Sequence, residues 1–130
     1  MDLNLEELAK ETVDAAFQVH STLGPGLLES AYEACLVYEL EKRGLNVASQ
    51  IPQKIAYGDI TIEAGYRLDL LINDQLIIEL KAVESLLPIH KAQILTYLKL
   101  SNKTLGLLIN FNVPLIKNGI KRIVNNHPPS

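Results

Sequence analysis

Residues 66–83, YRLDLLINDQLIIELKAV, decide the fold. Leucine and isoleucine recur at every second position on both sides of Asn73-Asp74-Gln75, which is typical of two strands joined by a turn. Residues two apart on a strand share a face, so one face of this hairpin is aliphatic and suits a core. Its members are Leu68, Leu70, Ile72, Leu76, Ile78 and Leu80. The other face carries Arg67, Asp69, Glu79 and Lys81 among Leu71 and Ile77.

The length of the turn decides whether the two acidic residues meet. A two-residue turn at Asn73-Asp74 would set Asp69 opposite Ile78, and the two carboxylates would then face apart. A three-residue loop, or a bulge with the same effect, sets Asp69 opposite Glu79. Only this second register puts both aliphatic sets on one face. We therefore predict that Asp69 and Glu79 lie side by side.

Two carboxylates held together on a partly buried sheet repel each other unless a cation lies between them. Oxygen ligands suit Mg²⁺ or Mn²⁺, with water in the remaining positions. Lys81 shares the face of Glu79 and could hold an attacking water or stabilise charge on a phosphate. The alternative is an exposed ion pair between Lys81 and Glu79, which would stabilise the fold by roughly 0–1 kcal/mol. Charges at alternating positions of an otherwise apolar strand are costly, and this favours the metal site.

The remaining elements follow from hydrophobic spacing, where a period of 3.6 residues predicts helices and a period of two predicts strands. The predicted helices cover residues 4–22, 27–42 and 86–100, and the predicted strands cover residues 46–57, 60–64, 66–72, 76–83 and 104–111. A helix between the last two strands is a crossover connection, so the sheet should be mixed, with helices on both sides. Residues 115–124 are amphipathic. We predict one α/β domain over residues 1–124 and a polar tail over residues 125–130.

Two helices bring further candidates towards the hairpin. Gln93 and Tyr97 share one flank of the third predicted helix, with His90 one turn earlier. We expect Gln93 to orient water, and Tyr97, His90 and Tyr32 to contact substrate. The alternative is that Tyr97 is half-buried packing and Gln93 an ordinary surface residue. Glu29, in the first turn of the second helix, could simply stabilise that helix through its dipole.

Charge and cysteine content limit the classes of partner. The net charge is −3, but residues 1–65 hold 4 Lys/Arg against 11 Asp/Glu, while residues 66–130 hold 8 against 4. The second half could face a polyanion, although charge alone favours mere solubility. A single cysteine, no export signal and no apolar span predict a cytoplasmic protein without a membrane partner. Without a glycine-rich phosphate loop we expect no nucleotide cofactor.

Four motifs occur in a fixed order along the chain. They are GLLESAY at residues 26–32, Asp69, ELK at residues 79–81 and QILTY at residues 93–97. Together with the closing GLLINF at residues 106–111, they resemble the GxxExxY protein family, a branch of the PD-(D/E)XK nuclease-like superfamily. The resemblance runs from about residue 5 to residue 124. It implies a restriction-endonuclease-like core of helix, three antiparallel strands, helix and strand, preceded by an extra N-terminal helix.

The resemblance also implies a role for each motif residue. Asp69, Glu79 and the Leu80 carbonyl would bind Mg²⁺ or Mn²⁺, with the Glu29 carboxylate near the metal. Lys81 would be the catalytic lysine, and Gln93 and Tyr97 would assist with water and substrate.

Three functions remain open from the sequence. The first is a Mg²⁺-dependent nuclease that hydrolyses phosphodiester bonds in DNA or RNA. The second is a catalytically silent module of the same fold that binds nucleic acid or protein, which the small size and the lack of a targeting domain would suit. The third is a homodimer or larger scaffold that associates through the long first helix.

Overall fold

The computed structural model describes residues 2–128, which begin with two helices. The helices are α1 (Leu5–Leu23) and α2 (Glu29–Lys42). The strands are β1 (Val47–Pro52), β2 (Ile55–Tyr57), β3 (Ile60–Ile62), β4 (Arg67–Ile72), β5 (Leu76–Lys81), β6 (Leu105–Asn110) and β7 (Ile120–Val124). Helix α3 (Pro88–Ser101) joins β5 to β6, and a 3₁₀ helix (Ile116–Gly119) precedes β7. No helix within residues 2–128 is long and apolar enough to cross a membrane.

Five strands form one mixed sheet in the order β1-β4-β5-β6-β7. Strands β5 and β6 are parallel and are connected through α3, whereas the other neighbours are antiparallel. Strands β2 and β3 pair only with each other, as a separate hairpin. The predicted mixed α/β sheet is confirmed, and the arrangement fits a restriction-endonuclease-like core.

The turn between β4 and β5 has the predicted length. Ile72 pairs with Leu76, which leaves Asn73, Asp74 and Gln75 in the loop. Asn73 and Asp74 have φ angles of 50° and 57°, and the Gln75 N–H donates to the Ile72 carbonyl at 2.9 Å. Asparagine and aspartate tolerate this left-handed backbone better than most residues. The register that sets Asp69 opposite Glu79 is confirmed.

The two faces of the sheet are covered by different helices. Helices α1 and α2 pack on the face that carries Leu70, Ile72, Leu76, Ile78 and Leu80. Helix α3 packs on the face that carries Ile77. The prediction was wrong for Leu68, which belongs to the α3 cluster. Pairing between β4 and β5 ends at Leu70 and Ile78, whereas Leu68 remains paired with Ile51 of β1, which packs against the same cluster.

The predicted strand over residues 46–57 is two strands. Strand β1 ends at Pro52 on the edge of the large sheet, where a residue without an N–H is tolerated. The Gln53 N–H then donates to the Tyr66 carbonyl, and the chain leaves to form the β2–β3 hairpin.

The C-terminal segment is more ordered than its sequence pattern indicates. Residues 120–124 form β7, which pairs antiparallel with β6. The apolar residues of this segment do not alternate, so its sequence pattern carries no strand signal. In the predicted tail, Asn125 and His127 hydrogen-bond to Thr104, and His127 Nε2 lies 2.7 Å from Glu6 Oε2. Met1 and residues 129 and 130 lie outside the described residues.

Candidate active site

Asp69 and Glu79 lie where β4 and β5 stop pairing. The last residue pair between them is Leu70 with Ile78. Beyond this pair, hydrogen bonds to side chains replace those between the two backbones. The Leu80 N–H donates to Asp69 Oδ2 at 2.8 Å, and the Asp69 N–H donates to Glu79 Oε1 at 3.3 Å. Each carboxylate thus satisfies a backbone donor that the diverging strands would leave without a partner. Their position is therefore fixed by the fold.

Burial makes the acidic pair electrostatically unfavourable. The Glu79 side chain is only 5% exposed. Desolvation, followed by the neighbouring Asp69 carboxylate, raises the pKa of Glu79 to about 9, against the lowering effect of Lys81. A carboxyl group in this state keeps a proton at neutral pH unless another cation replaces it. The pair therefore favours binding of a positive charge.

Helix α2 brings two more carboxylates to the opening, which is the place beside Asp69 and Glu79 where β4 and β5 stop pairing. The pKa of Glu29 is raised, mainly by desolvation. The Asp69 and Glu33 carboxylates contribute to the increase, and the charge of Lys81 opposes it. Desolvation also raises the pKa of Glu33, with Asp69 again contributing. The structure thus brings Glu29 into the electrostatic neighbourhood of Lys81 and Asp69.

Glu33 and Gln50 were not predicted as site residues. Gln50 Nε2 donates to Glu33 Oε1 at 2.7 Å and to Asp69 Oδ1 at 3.5 Å, so it links α2 to β4. Glu33 follows Glu29 by four residues, and this helical spacing was a usable signal. Gln50 has a φ of 52° in strand β1, and nothing in the sequence pattern indicates that conformation.

Helix α3 brings Tyr97 to the opening from the other layer. Tyr97 is 5% exposed and packs in one cluster with Leu68 and Ile77, which are neighbours of the acidic residues along their strands. Desolvation and the nearby Glu79 carboxylate raise the pKa of Tyr97, while a hydrogen bond with Gln93 lowers it. The structure therefore brings Gln93 and Tyr97 together beside Asp69 and Glu79.

Tyr32 lies elsewhere than expected. It is fully buried, and its ring stacks on Phe111 with centroids 4.6 Å apart. Its hydroxyl donates to the Gly24 carbonyl at 2.6 Å and accepts from the Leu27 N–H at 3.1 Å. Tyr32 thus holds the loop that leads into Glu29, and its buried side chain is not placed to contact a substrate.

His90 is also used by the fold. Its Nδ1 accepts a hydrogen bond from the Leu87 N–H at 3.0 Å. This bond satisfies a backbone donor at the start of α3. The expected substrate contact by His90 stays a prediction, based on its place on the same helix as Gln93 and Tyr97.

The donor set suits one kind of metal. Within residues 2–128, no group of three or more His, Cys, Asp or Glu side chains is arranged to hold an ion. Mg²⁺ is commonly bound by one or two carboxylates and retains several waters, so Asp69 and Glu79 are sufficient protein carboxylates for it. The repulsion that raises the pKa of Glu79 is what such a cation would relieve. The residues present therefore fit Mg²⁺ or Mn²⁺, and they do not fit zinc.

Basic side chains lie on two sides of the opening. A cavity of about 410 Å³ beside β4 is lined by Lys54 and Arg67, together with Glu63. Beyond the C-terminal end of β5, a cavity of about 230 Å³ is lined by Lys91 and Lys121, together with Glu84.

Comparison with protein families identifies the superfamily of this chain. The model of the PD-(D/E)XK nuclease superfamily matches residues 6–123. No curated protein and no solved structure matches. The matched range includes every residue that the structure brings to the opening between β4 and β5.

Proposed function

Because the chain belongs to the PD-(D/E)XK nuclease superfamily, we propose that it hydrolyses phosphodiester bonds of nucleic acid with Mg²⁺ or Mn²⁺. The observation that carries this proposal is the pair of carboxylates, Asp69 and Glu79, fixed by backbone hydrogen bonds where two strands diverge. Lys81 follows on the same strand. The sequence GLLESAY at residues 26–32 supports placing the chain in the GxxExxY branch.

Asp69, Glu79 and the Leu80 carbonyl would hold the cation, with Glu29 near it. When bound, a divalent cation supplies positive charge that polarises the phosphodiester and favours ionisation of water. The Leu80 N–H keeps Asp69 in one orientation, so the carboxylate need not reorganise when a ligand arrives. Glu29 and Glu33 add negative charge from α2, which further increases the demand for a cation.

Lys81 supplies an ammonium group close enough to act electrostatically on these carboxylates. It lowers the pKa of both Glu79 and Glu29, so its charge is felt at both sides of the opening. From there it would orient the attacking water or stabilise negative charge on the phosphate. Gln93 would hydrogen-bond the water or a phosphate oxygen, and Tyr97 would exclude bulk water behind the acidic pair.

The proposed substrate is DNA or RNA. Lys54 and Arg67 on one side, and Lys91 and Lys121 on the other, are suitable contacts for the phosphates that flank the cut. A cytoplasmic location suits the single cysteine, Cys35, because a reducing compartment keeps a free thiol intact.

Cleavage by matched lysine variants tests this function. We expect the wild type to cut labelled DNA or RNA with Mg²⁺ or Mn²⁺, and Lys81→Met to cut at least about 100-fold more slowly. Lys99→Met removes the same charge from an exposed position on α3 and should cut like the wild type. Wild-type rates in a folded Lys81→Met variant would contradict the proposed role of Lys81.

A second candidate is a silent binding module of the same fold. The absence of a three-acid metal cluster among the described residues favours it over a nuclease with tightly bound metal. It predicts equal affinity for an oligonucleotide in EDTA and in Mg²⁺, with no cleavage of any substrate. A homodimer through α1 remains a prediction, which light scattering tests.

A further inference from the structure

A groove lies between α3 and the β2–β3 hairpin, beside the acidic pair. Its volume is about 280 Å³, and its lining includes Ile55, Tyr66, Ile89, Gln93, Thr96 and Tyr97. This volume is close to the lower end of the range for small-molecule pockets, roughly 300–1,000 Å³. The groove therefore has room for one planar ring system and is too small for a helix or a duplex.

Two tyrosines form its aromatic wall. Tyr97 is 5% exposed and held by packing, whereas Tyr66 is 45% exposed. Their ring centroids are 6.4 Å apart, and the rings are inclined by 60°. Tyr66 can therefore present a free face to a ligand while Tyr97 supports it from behind. Exposed aromatic faces of this kind stack with nucleobases irrespective of sequence.

The charge distribution around the groove distinguishes a base from a phosphate. Among the described residues, the lining of the groove carries no formal charge, so a phosphate would be desolvated there without compensation. Gln93 and Thr96 offer the donors and acceptors that the edge of a base requires. Tyr66 also lines the neighbouring cavity with Arg67 and Lys54, although Lys54 is paired with Glu63 at 3.2 Å. An uncharged aromatic groove next to cations matches the alternation of base and phosphate along a single strand.

We propose that this groove binds one unpaired nucleobase of the strand being cut, so that the preferred substrate is single-stranded or locally unpaired nucleic acid. The inference rests on the proposed function, because Gln93 and Tyr97 belong both to the groove and to the candidate active site. A base inside a duplex has both faces covered, and it reaches the groove only after it has been unstacked and unpaired. The groove therefore selects against intact duplex.

Binding without metal tests this inference separately from catalysis. The probes are a short fluorescein-labelled single-stranded DNA and the duplex of the same sequence, followed by anisotropy in EDTA. We expect Tyr66→Ala to lose about tenfold or more in affinity for the single strand, and Tyr66→Phe to keep most of it. Tyr57→Ala is the matched control, because Tyr57 is 76% exposed on the same hairpin and does not line the groove.

A second variant tests the groove if Tyr66→Ala does not fold. Ile89→Glu adds a negative charge to the groove at a side chain that is 67% exposed, and an acidic residue suits the first turn of α3. It should also weaken single-strand binding. The inference is overturned if both variants bind the single strand like the wild type. It is also overturned if the variants lose as much affinity for the duplex as for the single strand, or if the wild type binds neither oligonucleotide. It is also overturned if the wild type is a dimer that Tyr66→Ala makes monomeric without any change in DNA binding.

The same variants separate this inference from the proposed function. If binding depends on Tyr66 but no cleavage occurs with any metal, the base-binding groove is supported and the nuclease function is contradicted. If cleavage depends on Lys81 but Tyr66→Ala cuts single strand and duplex like the wild type, the nuclease function is supported and the base-binding groove is contradicted.

Discussion

The carboxylate of Asp69 accepts a hydrogen bond from the backbone N–H of Leu80 at 2.8 Å. This bond replaces a backbone hydrogen bond at the point where β4 and β5 separate. Asp69 therefore also helps to hold the two strands together. Structure and proposed chemistry therefore depend on the same carboxylate. Substitutions at Asp69 can separate the two contributions.

Asparagine and alanine at position 69 should differ in stability. Asp69→Asn retains an oxygen that can accept from the Leu80 N–H, whereas Asp69→Ala leaves this buried donor without its partner. An unsatisfied buried donor costs about 1–3 kcal/mol, so Asp69→Ala should be less stable than Asp69→Asn by that amount. Urea unfolding monitored by circular dichroism measures the difference. Equal free energies of unfolding would show that the Leu80 hydrogen bond contributes nothing.

The metal-free protein should lose stability as pH rises. The folded state keeps the Glu79 proton up to about pH 9, whereas the unfolded chain releases it near the ordinary value of 4.5. The folded state therefore binds more protons between these values, and the stabilisation is full below pH 4.5 and is lost towards pH 9. One such proton changes the free energy of unfolding by at most about 1.4 kcal/mol per pH unit.

Glu79→Gln isolates this effect. The variant should show a shallower decline in free energy of unfolding between pH 5 and pH 9 than the wild type, measured in EDTA. Part of the decline should remain, because the pKa values of Glu29 and Glu33 are raised as well. The lowered pKa of Glu6, about 2, acts in the opposite direction and only below pH 4.5. Identical pH profiles for wild type and Glu79→Gln would contradict the assignment.

Mg²⁺ should stabilise the wild type and leave Asp69→Asn unchanged. A ligand at 100 times its dissociation constant stabilises the folded state by about 2.7 kcal/mol. The gain should be larger at pH 8 than at pH 6, since the cation competes with the Glu79 proton. Thermal unfolding over a Mg²⁺ titration measures it. An equal upward shift in both proteins would place the binding site away from Asp69.

Tyr32→Phe should weaken the loop that leads into α2. The variant loses the bonds to the Gly24 carbonyl and the Leu27 N–H, at a cost of about 1–2 kcal/mol. Cleavage should slow through kcat more than through KM, because Glu29 is displaced while the substrate groove is untouched. Tyr38→Phe changes an exposed tyrosine on the same helix and is the control. A rise in KM alone would instead support the direct substrate contact that the sequence suggested.

The hairpin and its site could be predicted because their signals are local. Alternation in residues 66–83 determines the faces, and the turn length determines that Asp69 meets Glu79. The burial of Tyr32 could not be predicted, since it depends on Phe111, which is distant in the chain. Gln50 reaches Glu33 only because α2 packs over β1. Such contacts between separate elements leave no periodic trace in the sequence.

The rate of oligonucleotide cleavage as a function of Mg²⁺ concentration, in wild type and Asp69→Asn, tests the central claim most directly. The wild type should cut with a rate that saturates with Mg²⁺ and vanishes in EDTA. The folded Asp69→Asn variant should cut at least about 100-fold more slowly at every concentration. Wild-type cleavage that persists in EDTA, or equal rates in the two proteins, would contradict a metal-dependent nuclease site at Asp69 and Glu79.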